Sequence, residues 1–177
     1  AEKERDAALR AEAAAEQALR DGKVRFVGCT AHKDPTYLLA MIGHEFAWST
    51  VQMPVTVLDR HYKSFTASVL PEARRRGIGV IGMKALGGRG QFLSHAGVSL
   101  EECLRFALSQ PISTLVSGMT TVEEVEQNTD VARRFVPMTA EEQDALLKRV
   151  RPVAADGRFE HYKSTQLNDS EVHREQH

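Results

Sequence analysis

Asp59-Arg60-His61-Tyr62-Lys63 brings a carboxyl, an imidazole, a phenol and an ammonium into one short run. Those types suit general acid–base chemistry. Their spacing argues against it, because neighbours in one extended loop point in alternating directions and do not converge on one reacting atom. The run is therefore read as a loop, either solvated or bordering a substrate, and not as a catalytic set. Thr30 to Lys33 sets a hydroxyl, the His32 imidazole and an ammonium at the carboxyl end of a strand, where ligand sites are built in parallel α/β proteins. Gln52 is a long amide on an otherwise apolar strand and needs a partner if buried. Lys84 ends another strand and is followed by Gly87, Gly88, Gly90 and Gly97, a mobile or ligand-wrapping stretch. Gly118, Met119, Thr120 and Thr121 lead into a capped helix whose backbone N–H groups suit a phosphate. Cys29 and Cys103 lack CxxC spacing and read as buried thiols, so no metal site is expected.

The elements that must position these residues are legible in order. Glu2 to Arg20 has no Gly or Pro and forms a surface helix that Gly22 stops. Val24 to Cys29 is a short apolar strand, and Asp34-Pro35 is an N-cap and first helical residue for a helix to about Glu45. Thr50 to Met53 is a second strand, halted by Pro54. A helix from Phe65 to Arg76 carries Pro71 as a kink or restart, and Ile78 to Met83 is a third buried strand. Capping boxes at Ser99, Thr121 and Thr139 open helices to about Ser109, Arg134 and Val150, with a fourth strand at Thr114 to Ser117. The strands recur at roughly the ~30 residues of a βαβ unit. Four βα units in series demand a parallel sheet, either open and doubly wound or part of an eight-stranded barrel.

Composition bounds the rest. The chain has 177 residues, 42% of them hydrophobic and 27% charged, which is a globular domain with room for one core. It divides into a body at 1–150 and a polar, loosely held tail at 151–177. A net charge of -1 gives no reason to expect nucleic acid. Arg74-Arg75-Arg76 falls in a last helical turn, where the dipole favours cations. No apolar run is long enough for a membrane span and the charged start is no signal peptide, so a cytoplasmic chain is expected. It opens inside a helix with Ala1 and no initiator methionine, as a piece of a longer protein would.

Gly22-Lys-Val-Arg-Phe-Val-Gly, Thr30, Val51-Gln-Met-Pro54, Gly77-Ile-Gly-Val-Ile-Gly-Met-Lys84, and Ser117-Gly-Met-Thr-Thr with Gln127-Asn128 occur in an order that resembles the second half of an aldo-keto reductase. His32-Lys-Asp-Pro35 resembles a strand-end motif of bacterial members. The resemblance implies the C-terminal half of a (β/α)8 barrel, strands five to eight, in a family that binds a nicotinamide dinucleotide without a Rossmann domain and reduces small carbonyl substrates. No G-x-G-x-x-G links a strand to a helix here. The family's catalytic Asp, Tyr, Lys and His come from its first four strands, upstream of this chain. A fragment without catalytic residues is therefore expected to be inactive alone. One alternative is a non-catalytic half-barrel that binds nucleotide or a partner chain; a second is a shortened α/β enzyme with its own site around Asp59 to Lys63.

By the same resemblance, Thr30 and Gln52 correspond to residues that hydrogen-bond the nicotinamide carboxamide, with Ala31 where the family often has asparagine. Met83 stands where many members stack an aromatic ring, as a sulfur contact or simply a core methionine. Lys84 is a pyrophosphate contact or a solvated lysine, and His32 a surface, helix-start or substrate residue. Gly118, Met119 and Thr120 border phosphate, while Gln127 and Asn128 resemble a pair that grips adenine. NADP is the family's usual cofactor, but Glu124, either a capping-box carboxylate or a group that opposes the 2′-phosphate, leaves NAD open. Four strands leave edges at Val24 to Cys29 and Thr114 to Ser117, and self-association through them is expected.

Overall fold

The computed structural model describes residues 2–164. In chain order the elements are α1 (Glu2–Arg20), β1 (Gly28–Thr30), α2 (Pro35–Gly43), β2 (Thr50–Pro54), α3 (Phe65–Arg75), β3 (Gly79–Met83), α4 (Phe92–Ala96), α5 (Leu100–Ser109), β4 (Thr114–Leu115), α6 (Val122–Arg133), α7 (Ala140–Ala154) and α8 (His161–Ser164). A 3-10 turn, Asp59–His61, lies between β2 and α3. The helix starts follow local chemistry. Asp34 accepts from the Thr36 N–H with Pro35 behind it, and Ser99, Thr121 and Thr139 close reciprocal capping boxes with Glu102, Glu124 and Glu142.

All strand pairs are parallel and the order across the sheet is β1-β2-β3-β4. That order separates the two architectures that periodicity leaves open. A doubly wound sheet reverses direction at a switch point, whereas here each crossover steps to the next neighbour on the same side, so the helices gather on one face. The packing agrees: Cys29, Val51, Met53 and Val80 share one core with Leu38 and Ile42 of α2, Phe65 and Val69 of α3, Leu104 of α5 and Val131 of α6. The alternate residues Thr30, Gln52, Ile81 and Thr114 are Cα partners in one row across the other face and belong to neither core. A second core joins Val57 and Leu58 to Phe92, Phe106, Leu146 and Val150.

Several expected boundaries move. β1 is Gly28–Thr30 rather than Val24 to Cys29, because β2 begins only at Thr50, and before Gly28 the link is a single bond from the Ser49 N–H to the Val27 carbonyl. Gly28 is also the only residue type that fits there, since an added Cβ would collide with the Thr50 side chain. β4 shrinks to Thr114–Leu115, although the Val116 N–H still donates to the Gly82 carbonyl. Pro54 closes β2 from inside it, paired with Met83. Pro71 interrupts nothing: α3 runs through it, and the carbonyl of Ala67 that it leaves without a helical donor lies on an exposed residue. The glycine-rich stretch contains α4, pinned by the buried Phe92.

The largest correction concerns the tail and the Asp59 loop. α7 continues through Pro152 to Ala154, and Glu160, Tyr162 and Lys163 are buried. Residues 151–164 therefore include packed structure, while 165–177, the rest of the expected tail, lie outside the described residues. Asp59 is not solvated either; it is fully buried. Its Oδ1 accepts from the Phe65 N–H (3.0 Å) and Lys163 Nζ (2.7 Å). Its Oδ2 accepts from the Thr66 N–H (2.8 Å), the Thr66 hydroxyl (2.7 Å) and the Ser64 hydroxyl (3.0 Å). The orphan donors at the start of α3 need an acceptor, and Asp59 supplies it.

Lys163 also donates to the Tyr62 carbonyl (2.8 Å) and to Glu160 Oε1 (2.9 Å), which accepts the Tyr162 hydroxyl as well (2.8 Å). Lys163→Met should cost about 3–5 kcal/mol in urea unfolding, the usual loss when one partner of a buried pair goes. A cost below about 1 kcal/mol would mean that the α3 donors alone satisfy Asp59. Burial holds the Glu160 carboxyl above its ordinary 4.5 despite Lys163 nearby. The folded chain thus keeps a proton that the unfolded chain has released, and the stability this confers is full below pH 4.5 and lost as pH rises through the raised value. Glu160→Gln should therefore gain on the wild type as pH rises from 4.5 through the raised value, and a difference that stays flat between pH 4 and about 8 would refute it.

Candidate functional site

The carboxyl ends of β1, β2 and β3 bring three of the expected residues together. Thr30 and Gln52 are Cα partners, and the Gln52 amide donates to Met83 Sδ at 3.5 Å. Thioether sulfur is a weak acceptor, so Gln52 retains most of its capacity for a stronger partner. Thr30 is exposed, while Gln52 and Met83 are half-buried on the face that the helices do not cover. The result is a hydroxyl, an amide and a soft apolar group at one sheet end.

Lys84 follows at once and has a left-handed backbone, φ 59°. Its ammonium lies 4.8 Å from the centre of the Tyr162 ring, and burial lowers its pKa. Lys84 lines a groove of about 260 Å³ with Gly88, Arg89, Ser117, Gly118, Thr120 and Glu124. The same Tyr162 ring meets His32 edge-on, with centroids 5.9 Å apart. His32 thus contacts the C-terminal segment as well as opening the loop before α2.

The start of α6 differs from expectation. Thr120 and Thr121 do not offer free N–H groups, because Glu124 Oε2 accepts from both and from the Thr120 hydroxyl, at 2.5, 3.3 and 3.0 Å respectively. These bonds hold the Glu124 carboxyl below its usual range, the Thr120 N–H first among them. Gly118 and Met119 stay exposed. Gln127 faces outward, whereas Asn128 is buried with its amide donating to Ser117 Oγ at 3.0 Å and its carbonyl oxygen unpartnered among the described residues. The two neighbours therefore do not present one surface.

Asp59, His61, Tyr62 and Lys63 diverge. Asp59 caps α3; the His61 Nε2–H donates to the Leu147 carbonyl at 3.0 Å; Lys63 pairs with Asp34 at 3.0 Å. Tyr62 packs on Gly157, whose φ of +72° and lack of a side chain admit the ring, as an added Cβ would lie 2.5 Å from it. Asp34 falls to about 2, chiefly because the Thr36 hydroxyl and N–H donate to it. Both thiols are buried and desolvated, Cys29 pushed up to about 11 and Cys103 to about 12. Among the described residues no cluster of three or more His, Cys, Asp or Glu could hold a metal. No helix among them is long and apolar enough to cross a membrane.

Sequence reasoning missed Glu160, Tyr162 and Lys163. Phe159 and Tyr162, two aromatics in a polar run, were the available signal, since Phe159 meets His95 with centroids 5.0 Å apart.

No family model and no curated protein matches the chain. Among solved structures it is similar to one described as a "putative 2,5-diketo-D-gluconic acid reductase B", at 18% identity and a TM-score of 0.54, over 75% of this chain and 48% of that one. The chain spans about half the length of that structure, and the likeness establishes the fold: α/β, with four parallel βα units forming part of a (β/α)8 barrel.

Lys84→Gly should raise stability by about 1 kcal/mol in urea unfolding by releasing the left-handed strain. A loss instead would show that contact with Tyr162 outweighs the strain.

Proposed function

We propose that the chain is the nucleotide-binding, C-terminal half of an aldo-keto reductase. The observation that carries this reading is the in-register placement of Thr30 and Gln52 beside Met83 at the strand ends, where a nicotinamide carboxamide would find a hydroxyl, an under-used amide and a soft wall. NADP or NAD would supply the hydride; Thr30 and Gln52 would orient its carboxamide, and Lys84 would meet its pyrophosphate from the groove beside Gly118, Met119 and Thr120. A small carbonyl compound is the substrate of the complete barrel, whose acid–base residues stand on the half that this chain does not contain. Diketogluconate reduction, named for the similar structure, belongs to that class.

The adenine end fits less well. Glu124 occupies the donors a phosphate would use, and its charge opposes a 2′-phosphate. Gln127 is available to adenine, whereas Asn128 acts through Ser117. Binding should accordingly be weak, since a half-site spreads the ordering cost over few contacts. In calorimetry with NADPH, Gln52→Ala should weaken affinity by roughly fivefold, one hydrogen bond's worth. Glu124→Ala should tighten it by freeing the α6 donors. Sub-micromolar binding by the wild type, or two variants without effect, would overturn the half-site assignment.

The two sheet edges support self-association. Phe26 beside β1 is 68% exposed and Val116 beyond β4 is 50% exposed, next to unpaired strand backbone. Light scattering should show concentration-dependent dimers or larger species, and a monodisperse monomer up to high concentration would mean that the edges are self-sufficient.

A further inference from the structure

Away from the strand ends, a groove of about 460 Å³ lies between the Asp59–His61 turn and α7. One wall carries Arg60 and His61; the other is a single stripe of α7, Asp144, Leu147, Lys148 and Arg151, reaching Ala155. Among the described residues Arg60, Lys148 and Arg151 make no ion pair or side-chain hydrogen bond, unlike Arg75, Arg134 and Arg149, which pair with neighbouring carboxylates. Asp144 is the one carboxylate on the lining, so the groove holds an excess of two positive charges. The His61 ring is fixed between the walls by its Nε2–H bond to Leu147. Burial, and then the fields of Arg151 and Arg60, lower its pKa.

Like charges without carboxylate partners on both walls of a concave site give it a positive potential that favours an anion, and a volume of this size suits a small molecule. Donors on opposite walls match a tetrahedral group with several terminal oxygens better than a planar carboxylate, which one guanidinium grips in its own plane. We propose that this groove binds a small molecule through a doubly charged phosphate group, held by Arg60 from one side and by Lys148 and Arg151 from the other. It shares no residue with the groove at Lys84 and Gly118, so the assignment stands apart from the nicotinamide reading.

The test uses the whole chain and inorganic phosphate. The His61 ring signals, assigned by their loss in His61→Gln, are followed by NMR as phosphate replaces chloride at constant ionic strength. Expected are a saturable shift, an upward move of the His61 titration midpoint as the bound anion offsets Arg60, Arg151 and Lys148, and a smaller response to acetate. Affinity should fall about tenfold or more in an Arg60→Ala, Arg151→Ala double variant, and less in Lys148→Gln. Arg74→Ala, on α3 away from the groove, should match the wild type. Arg60, Arg74, Lys148 and Arg151 are exposed, so their variants should fold, and circular dichroism checks these and His61→Gln alike. A non-saturable shift, an equal response to chloride or acetate, or unchanged affinity in both groove variants would overturn the proposal.

Discussion

Asp59 is a fully buried carboxylate whose two oxygens receive five donors, and the rest of the strand-end architecture depends on that arrangement. Such a charge is tolerable only when paired and hydrogen-bonded. Three of the donors come from Phe65 and Thr66 at the start of α3 and a fourth from its N-cap Ser64, so the carboxylate fixes where that helix begins. The fifth is Lys163, more than a hundred residues away in sequence, so the same carboxylate fixes where α8 docks. Once Lys163 is held, Tyr162 has to lie against Lys84 and His32, and three βα loops are tied together by one cluster.

The apolar interactions are one-sided. Both cores lie on the helix-covered face of the sheet or behind it, and each is built from strand or loop residues meeting α2 to α7. The opposite face carries Thr30, Thr50, Gln52, Ile81 and Met83, a mixed surface suited neither to full burial nor to a purely solvated face. This asymmetry is what half a closed barrel looks like: the outer layer is finished within the chain, while the inner layer and the two edges call for further strands. At roughly 25 cal/mol per Å², a few hundred Å² of such surface is comparable to a domain's stability margin.

The strand-end groups divide by how they are satisfied. Thr30 and Gln52 have donor and acceptor capacity left over at the open face, which is the condition for recognising a ligand. The α6 terminus has little, because the capping box that starts the helix also consumes the N–H groups a phosphate would take. Helix initiation would compete with an anion for the same donors, and here the capping box holds them.

What the sequence determined by itself is the local grammar. Caps at Asp34, Ser99, Thr121 and Thr139 and the helix stop at Gly22 depend on interactions within a few residues, and the structure has them where the pattern puts them. The four parallel βα units followed from the same periodicities, and the resemblance in the strand-end residues selected a barrel. Only the tertiary structure decided the sequential strand order, the short β1 and β4, and the burial of Asp59 and Lys163. Pairing length depends on where the neighbouring strand begins, and a lysine in a polar run becomes a core residue only because a carboxylate 104 positions earlier lies within 2.7 Å of it. Neither condition is local, so no window along the chain contains it.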